Sequence, residues 1–200
     1  MKNSVWIAAF FVLGLGFGLS SSQTYTSLSS LSSLTLYALI FLVGFLVSSD
    51  SQSWHHLKHS KARILIIPVL TIFGSLGASV FISFFIKDLS VKESLAVGAG
   101  FGYYSVSSLI ITELAGKTLG VLALLTNLMR EIITLLFAPV LRKFFGRLSP
   151  VVAGGATSMD TTLPVIVRYS GKDMAIIAII HGTILTILVP IAVTFILSIK

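Results

Sequence analysis

Gly154-Gly155-Ala156-Thr157-Ser158-Met159-Asp160-Thr161-Thr162-Leu163-Pro164 is the stretch on which the architecture turns. It is rich in glycine, threonine and proline, holds an acid near its centre, and lies between two apolar arms. Those arms are Val151-Val152-Ala153 and Val165-Ile166-Val167. Gly154, Gly155 and Pro164 disfavour an uninterrupted helix, and a water-exposed loop would not sit between such arms. In hydrocarbon, non-helical backbone is tolerated only where protein or a water-filled cavity satisfies its polar groups. A carboxylate at that depth marks a functional site by default. The stretch therefore reads as a broken membrane helix lining a solute or ion site, which makes the chain a candidate transporter.

The bulk properties agree. Hydrophobic residues make up 55% of the 200, charged residues only 10%, and mean hydropathy is +1.00. A soluble domain of this size is not built from so few charges, whereas a polytopic membrane protein is. The net charge of +7 comes from bases scattered through short loops, the pattern of topogenic charges rather than of a nucleic-acid surface. With no cysteine, neither a disulfide framework nor a thiol-bound metal is available. No linker or low-complexity tail divides residues 1–200, so a single integral membrane transporter domain is expected. The first apolar run, Ser4 to Ser20, is expected to be a span rather than a signal peptide, because no small-x-small cleavage site follows it.

Seven apolar segments can be marked, near residues 4–20, 34–48, 64–86, 94–113, 119–141, 150–168 and 174–198. The third, fifth and seventh reach the roughly 20 residues that cross a ~30 Å hydrocarbon core. Segment one carries Gly14, Gly16 and Gly18, which permit a bend or close packing. The expected fold is all-α, a polytopic membrane helix bundle in which the segments near 94–113 and 150–168 are broken or re-entrant.

Basic residues test the topology. If all seven segments cross from an inside N-terminus, Lys2, Lys58, Lys61, Arg63, Lys117, Arg168 and Lys172 lie inside. Lys87, Lys92, Arg142, Lys143, Arg147 and Lys200 then lie outside, and there is no bias. If segments four and six return to the side they entered, Arg142, Lys143 and Arg147 move inside and Lys117 moves out. The charge placement favours that second version, although broken helices that still cross stay open.

Segment four contains Gly98-Ala99-Gly100-Phe101-Gly102-Tyr103-Tyr104-Ser105. No βαβ context makes its glycines a nucleotide fingerprint. Tight packing of small residues is one explanation. The other is a second interrupted helix, broken at Gly100 and Gly102, that brings the Tyr104 and Ser105 hydroxyls to the site. Two discontinuous segments in one apolar chain point to a midplane binding site.

Glu131 lies midway along segment five, with Asn127 one turn earlier and Thr134 nearly one turn later on the same face. Arg130 projects about 100° away from it. Either Arg130 and Glu131 find structural partners on other helices, or Glu131 is a titrating acid that exchanges a proton for a cationic solute. Asp160, among Thr157, Ser158, Thr161 and Thr162, is either the N-cap of a half-helix or a ligand. Half-helix N-termini there would offer N–H groups to a carboxylate. His181 is either a packed hydrogen-bonding residue or a proton relay. Glu113 reads as a boundary charge, and Gly154, Gly155 and Pro164 as the structural breaks.

His55 and His59 have the i,i+4 spacing of a metal pair, but no third ligand is near. An interfacial loop anchored by Trp54 is the better reading. No nucleophile triad, zinc-helix motif or phosphate loop is present, so no enzyme, metal or cofactor is expected.

From about residue 96 onward several strings resemble the lysine exporter (LysO) family of bacterial inner membranes. They are Gly100-Phe101-Gly102-Tyr103-Tyr104-Ser105, Thr112-Glu113, Asn127-Leu128-Met129-Arg130-Glu131, Gly155-Ala156-Thr157-Ser158-Met159-Asp160-Thr161-Thr162-Leu163-Pro164 and His181-Gly182. Leu42-Val43-Gly44 and the rest of the earlier part resemble it more loosely. Full-length members carry roughly three further hydrophobic segments at the N-terminus, so this chain resembles their C-terminal two thirds. A separate small membrane protein supplying the remainder is one arrangement this implies. Three further segments with these seven would make ten, two inverted fives, an arrangement in which segment six crosses.

The resemblance implies a multi-pass inner-membrane protein that exports L-lysine and analogues; exchange for protons is expected from the energetics, because a membrane acid that binds either a proton or an ammonium group cancels the charge movement. On that reading Glu131 and Asp160 hold ammonium groups, while half-helix N-termini, Thr157, Ser158 or Arg130 meet the α-carboxylate. The alternatives are a monovalent cation–proton antiporter and a non-catalytic subunit of a split transporter. An intramembrane hydrolase would need paired aspartates or a nucleophile–base pair, and here there is only Asp160 with a distant His181.

Overall fold

The computed structural model describes residues 12, 13, 16 and 61–199. The expected segment at 34–48 and the histidines at 55, 56 and 59 lie outside the described residues, as does most of the segment at 4–20. Among the described residues all regular structure is helical. The order is α1 (Lys61–Ser83), α2 (Val91–Gly98), α3 (Tyr104–Ala115), α4 (Lys117–Phe145), α5 (Ser149–Gly154), a 3-10 turn (Gly155–Met159), α6 (Leu163–Ser170) and α7 (Met174–Ser198).

Helices α1, α4 and α7 are long and apolar enough to cross a membrane. Their 23, 29 and 25 residues correspond to about 34, 44 and 38 Å at 1.5 Å per residue. Each contains a proline (Pro68, Pro139 and Pro190). Large apolar side chains such as Leu65, Phe73, Phe137, Ile187 and Phe195 point outward, as lipid-facing side chains do.

The two remaining apolar segments fold back on themselves. Arg147, just beyond α4, donates from Nε to the Ser170 carbonyl at 2.8 Å and pairs with Asp173. The chain therefore leaves α4 and begins α7 at the same end of the bundle. The arms α5 and α6 have six and eight residues, about 9 and 12 Å, and reach only partway in. At the other end, Lys92 opens α2 and donates from Nζ to the Ile199 carbonyl, past the end of α7, at 2.5 Å. Gly116 alone joins α3 to α4, so α2 and α3 also enter and leave at one end. The bundle is thus three long helices clasping two half-depth hairpins that approach from opposite ends. Segment six, which the five-plus-five arrangement would have cross, returns instead, because Arg147 ties its two ends together.

Local chemistry explains the breaks. Ser90 and Glu93 start α2 with a capping box: the Glu93 N–H donates to Ser90 Oγ at 3.2 Å and the Ser90 N–H to Glu93 Oε2 at 2.8 Å. Pro164 occupies the first turn of α6, where a missing N–H leaves no bond unmade. The hairpin tips cross at a backbone bond, the Ala156 N–H donating to the Phe101 carbonyl at 2.8 Å. Phe101 has φ +45° and Gly155 φ +62°, and a Cβ on Gly155 would run into the Phe101 carbonyl. Only glycine allows the tips that close.

Each hairpin has its own core, and α7 serves both. Its first half, Ala175, Ile176 and Ala178, packs with Val151, Leu163, Ile166 and Val167 of the second hairpin. Its second half, Leu185, Val189 and Val193, packs with Ala96, Val97, Phe101 and Ile111 of the first, together with Leu119 and Ala123 of α4. His181 and Gly182 lie between the two cores, at the level of the crossing.

Candidate functional site

The expected face of α4 is the buried one: Asn127, Glu131 and Thr134 are 3%, 7% and 0% exposed. Glu131 Oε2 is buried and has no hydrogen-bond partner among the described residues. Asp160 lies close enough to act on the Glu131 carboxyl electrostatically, and Thr161 stands beside it. Tyr104, in the first turn of α3, lies within electrostatic reach of both acids. Two carboxylates, a phenol and a threonine hydroxyl thus converge where the second arms of the hairpins begin. An unpartnered carboxylate oxygen at this depth is costly unless a proton or a cation meets it. That is the chemistry of a cation or proton site.

Asp160 is half-buried, and its Oδ1 accepts from the Thr161 N–H at 2.6 Å and from the Thr161 hydroxyl at 3.3 Å. The cap residue of α6 is Thr162, which makes no side-chain cap bond, so Asp160 is not the N-cap of that half-helix.

Arg130 turns away from Glu131. Its Nε donates to the Ala153 carbonyl at 2.8 Å, its Nη2 to Val152 at 2.9 Å, and its Nη1 to Ser75 Oγ at 2.9 Å. A cation is thereby set on the carbonyl end of α5, where the helix dipole favours it. Asn127 does the equivalent for the first hairpin. Its Oδ1 accepts from the Gly102 N–H at 2.8 Å, and its Nδ2 donates to the Val97 carbonyl at 3.2 Å and to Ala123 at 2.9 Å. Three positions apart on α4, these residues each hold one hairpin tip. Their polar atoms, expected from sequence to face solute, are engaged in that work.

The other expected residues divide. Thr157 is buried and donates to the Gly154 carbonyl at 2.9 Å. Ser105 is exposed. Gly100, Gly102, Gly154 and Gly155 all lie at the crossing, Gly100 against Asn127 and Gly154 against Thr162. His181, fully buried, bridges Thr71 Oγ1 from Nε2 at 3.0 Å and Ser158 Oγ from Nδ1 at 3.1 Å. A groove of about 560 Å³ beside α4 is lined by Leu125, Met129, Ile133 and Ala153 with Arg130, and it holds neither acid.

Thr161 was not singled out from sequence, nor were Thr71 and Ser75 of α1. A signal for the latter exists. Thr71, Ser75, Ser79 and Ser83 recur every fourth residue in an otherwise apolar span, one stripe on one helix face. That stripe faces the bundle, with Ser75 meeting Arg130 and the Ser79 carbonyl accepting from Ser94 Oγ at 2.6 Å.

The lysine exporter LysO of Escherichia coli (strain K12) is 34% identical over 193 residues, covering 96% of this chain and 64% of that protein. The chain therefore spans just under two thirds of that relative's length. A protein of Haemophilus influenzae whose name proposes lysine export is 31% identical over 160 residues, 80% of each chain. No solved structure matches. The family model described as Lysine exporter LysO matches residues 8–197, and the chain belongs to that family.

Proposed function

We propose that this chain exports L-lysine and close analogues across the bacterial inner membrane in exchange for protons, with Glu131 and Asp160 as the groups that take either the ammonium or the proton. The reading is carried by the buried Glu131 carboxyl, whose Oε2 lacks a partner while Asp160 lies nearby. The family and the names of both relatives support lysine as the solute.

Basic residues give the orientation. Lys61, Arg63, Arg142, Lys143, Arg147, Arg168 and Lys172 fall toward the α5–α6 end, against Lys87, Lys92 and Lys117 at the other. The α5–α6 hairpin then dips in from the cytoplasm and the α2–α3 hairpin from outside, and movement at either tip exposes the acids to one side. The N-terminal turn of α3 begins beside the acids, and the helix dipole there suits the α-carboxylate of the solute.

Energetics favours exchange. Carrying one positive charge outward against an inside-negative potential costs about 2.3 kcal/mol per 100 mV. A proton moving inward for each lysinium moving outward cancels that charge movement, and a carboxyl that binds either one couples them directly.

The test is efflux of radiolabelled lysine from cells without their own exporter, expressing the chain alone or with any small membrane protein encoded beside it. Glu131→Gln should abolish efflux while leaving the protein inserted in the membrane. Wild-type efflux by that variant would overturn the assignment. Efflux that requires the neighbour would make this chain one part of a split carrier.

A further inference from the structure

His181 is fully buried and plays no part in the exchange just described. Four hydrogen-bond contacts run through the ring in line, joining the Ile67 carbonyl, Thr71 hydroxyl, imidazole, Ser158 hydroxyl and Ala178 carbonyl, and the Gly155 backbone acts on the ring from outside that line. Thr71 Oγ1 donates to Ile67 at 2.9 Å and Ser158 Oγ to Ala178 at 2.8 Å. The ring contacts close the middle at 3.0 and 3.1 Å.

The protons can be counted. Each hydroxyl supplies one and a neutral imidazole supplies one, so three protons serve four contacts. The charged group acting on the ring is Arg130, from α4; Thr71 from α1 and Ser158 from the 3-10 turn are uncharged. A second buried cation beside Arg130 would be expensive, so the ring is counted as neutral. One contact therefore always lacks a proton. The gap is cheapest at an end of that line, because Ile67 and Ala178 lie inside helices where their carbonyls already accept an intrahelical bond. A gap in the middle would set lone pair against lone pair.

Two arrangements remain. With the proton on Nε2, the ring donates to Thr71, Ser158 donates to Nδ1, and the gap lies at Ala178. With the proton on Nδ1, the ring donates to Ser158, Thr71 donates to Nε2, and the gap lies at Ile67. Both keep the second hairpin's tip joined to α1 through the ring, with no buried N–H left bare.

We propose that His181 is a positioning residue for Asp160, a link between α1 and the second hairpin that changes tautomer as the tip moves during transport. Ser158 is two residues from Asp160, so the link sets where that acid stands. Gly182 carries the same tip: a Cβ there would strike the Ala156 carbonyl and Met159. The proposal rests on the transport reading for its consequence but not for its tautomers.

The experiment is nitrogen-15 NMR of the histidine ring in the full chain, purified into lipid nanodiscs, with the His181 signals assigned by their loss in His181→Gln. Wild type should populate both neutral tautomers. Thr71→Val removes the Nε2 partner without changing side-chain shape and should leave the Nδ1–H form. Ser158→Ala should leave the Nε2–H form. The same tautomer in both variants would overturn the link, and so would a wild-type mixture that Ser158→Ala does not shift, should Thr71→Val fail to fold. In efflux, both variants should lower the maximal rate about tenfold, the worth of one hydrogen bond, with half-saturation by lysine nearly unchanged. Thr71→Ser should restore the rate. Wild-type maximal rates in both would overturn the positioning role. Because the NMR arm needs no lysine, a chain that exports none would sink the transport reading separately.

Discussion

Replacing Arg130 by lysine distinguishes a clamp from a solute ligand. The guanidinium spans three acceptors on two elements, the Val152 and Ala153 carbonyls at the end of α5 and Ser75 Oγ on α1, all within 2.9 Å. A lysine ammonium is a compact charge that cannot hold this fork of acceptors. It can keep one carbonyl and forfeit the other two contacts. Hydrogen bonds to a charged group are worth about 1.5–3 kcal/mol each, so two lost bonds amount to about 3–6 kcal/mol. For a chain of this size about 1 kcal/mol moves the melting temperature by 2–4 °C, and the expected fall is on the order of 10 °C. Thermal unfolding of the purified protein in detergent, followed by loss of the monodisperse peak, reads this directly. An Arg130→Lys protein that melts with wild type yet no longer exports lysine would refute the clamp. It would make Arg130 a ligand for the solute carboxylate instead.

Two further outcomes follow from the hairpin ends. Gly155→Ala should prevent the tips from crossing, because the added Cβ meets the Phe101 carbonyl at a φ of +62°, and trypsin should then cut the second hairpin in membranes where wild type resists. Glu93 lies at the outer end of the first hairpin, where the Ser90 hydroxyl, and then its N–H, hold the carboxyl below its ordinary range. A folded pKa lowered in this way contributes stability above the unfolded value of 4.5 that is lost as pH falls through the folded one. Ser90→Ala should therefore cost about 1 kcal/mol at neutral pH and flatten the acid limb of a melting profile.

Much of this was legible in the residues themselves. Gly154, Gly155 and Pro164, clustered around a polar run with an acid, disfavour an uninterrupted helix, and the close-set Gly100 and Gly102 mark the first hairpin in the same way. The spacing of Asn127, Glu131 and Thr134 at one helical turn defines the buried face of α4, because helix geometry turns sequence distance into direction. Composition alone called for lipid outside the bundle.

What the residues left open depended on contacts between distant parts of the chain. Residues 149–170 are numerous enough to cross a bilayer or to return, and local propensity is the same in both cases; the bond from Arg147 to Ser170 makes them return. Arg130 and Glu131 are neighbours in sequence, yet one caps α5 and the other faces Asp160, since consecutive helical positions point to different partners. His181 finds Thr71 across 110 positions, a pairing that no local pattern encodes. The breaks and the buried face follow from short-range sterics and periodicity, whereas re-entry and the choice of hydrogen-bond partners follow from which buried polar groups the folded bundle brings within reach.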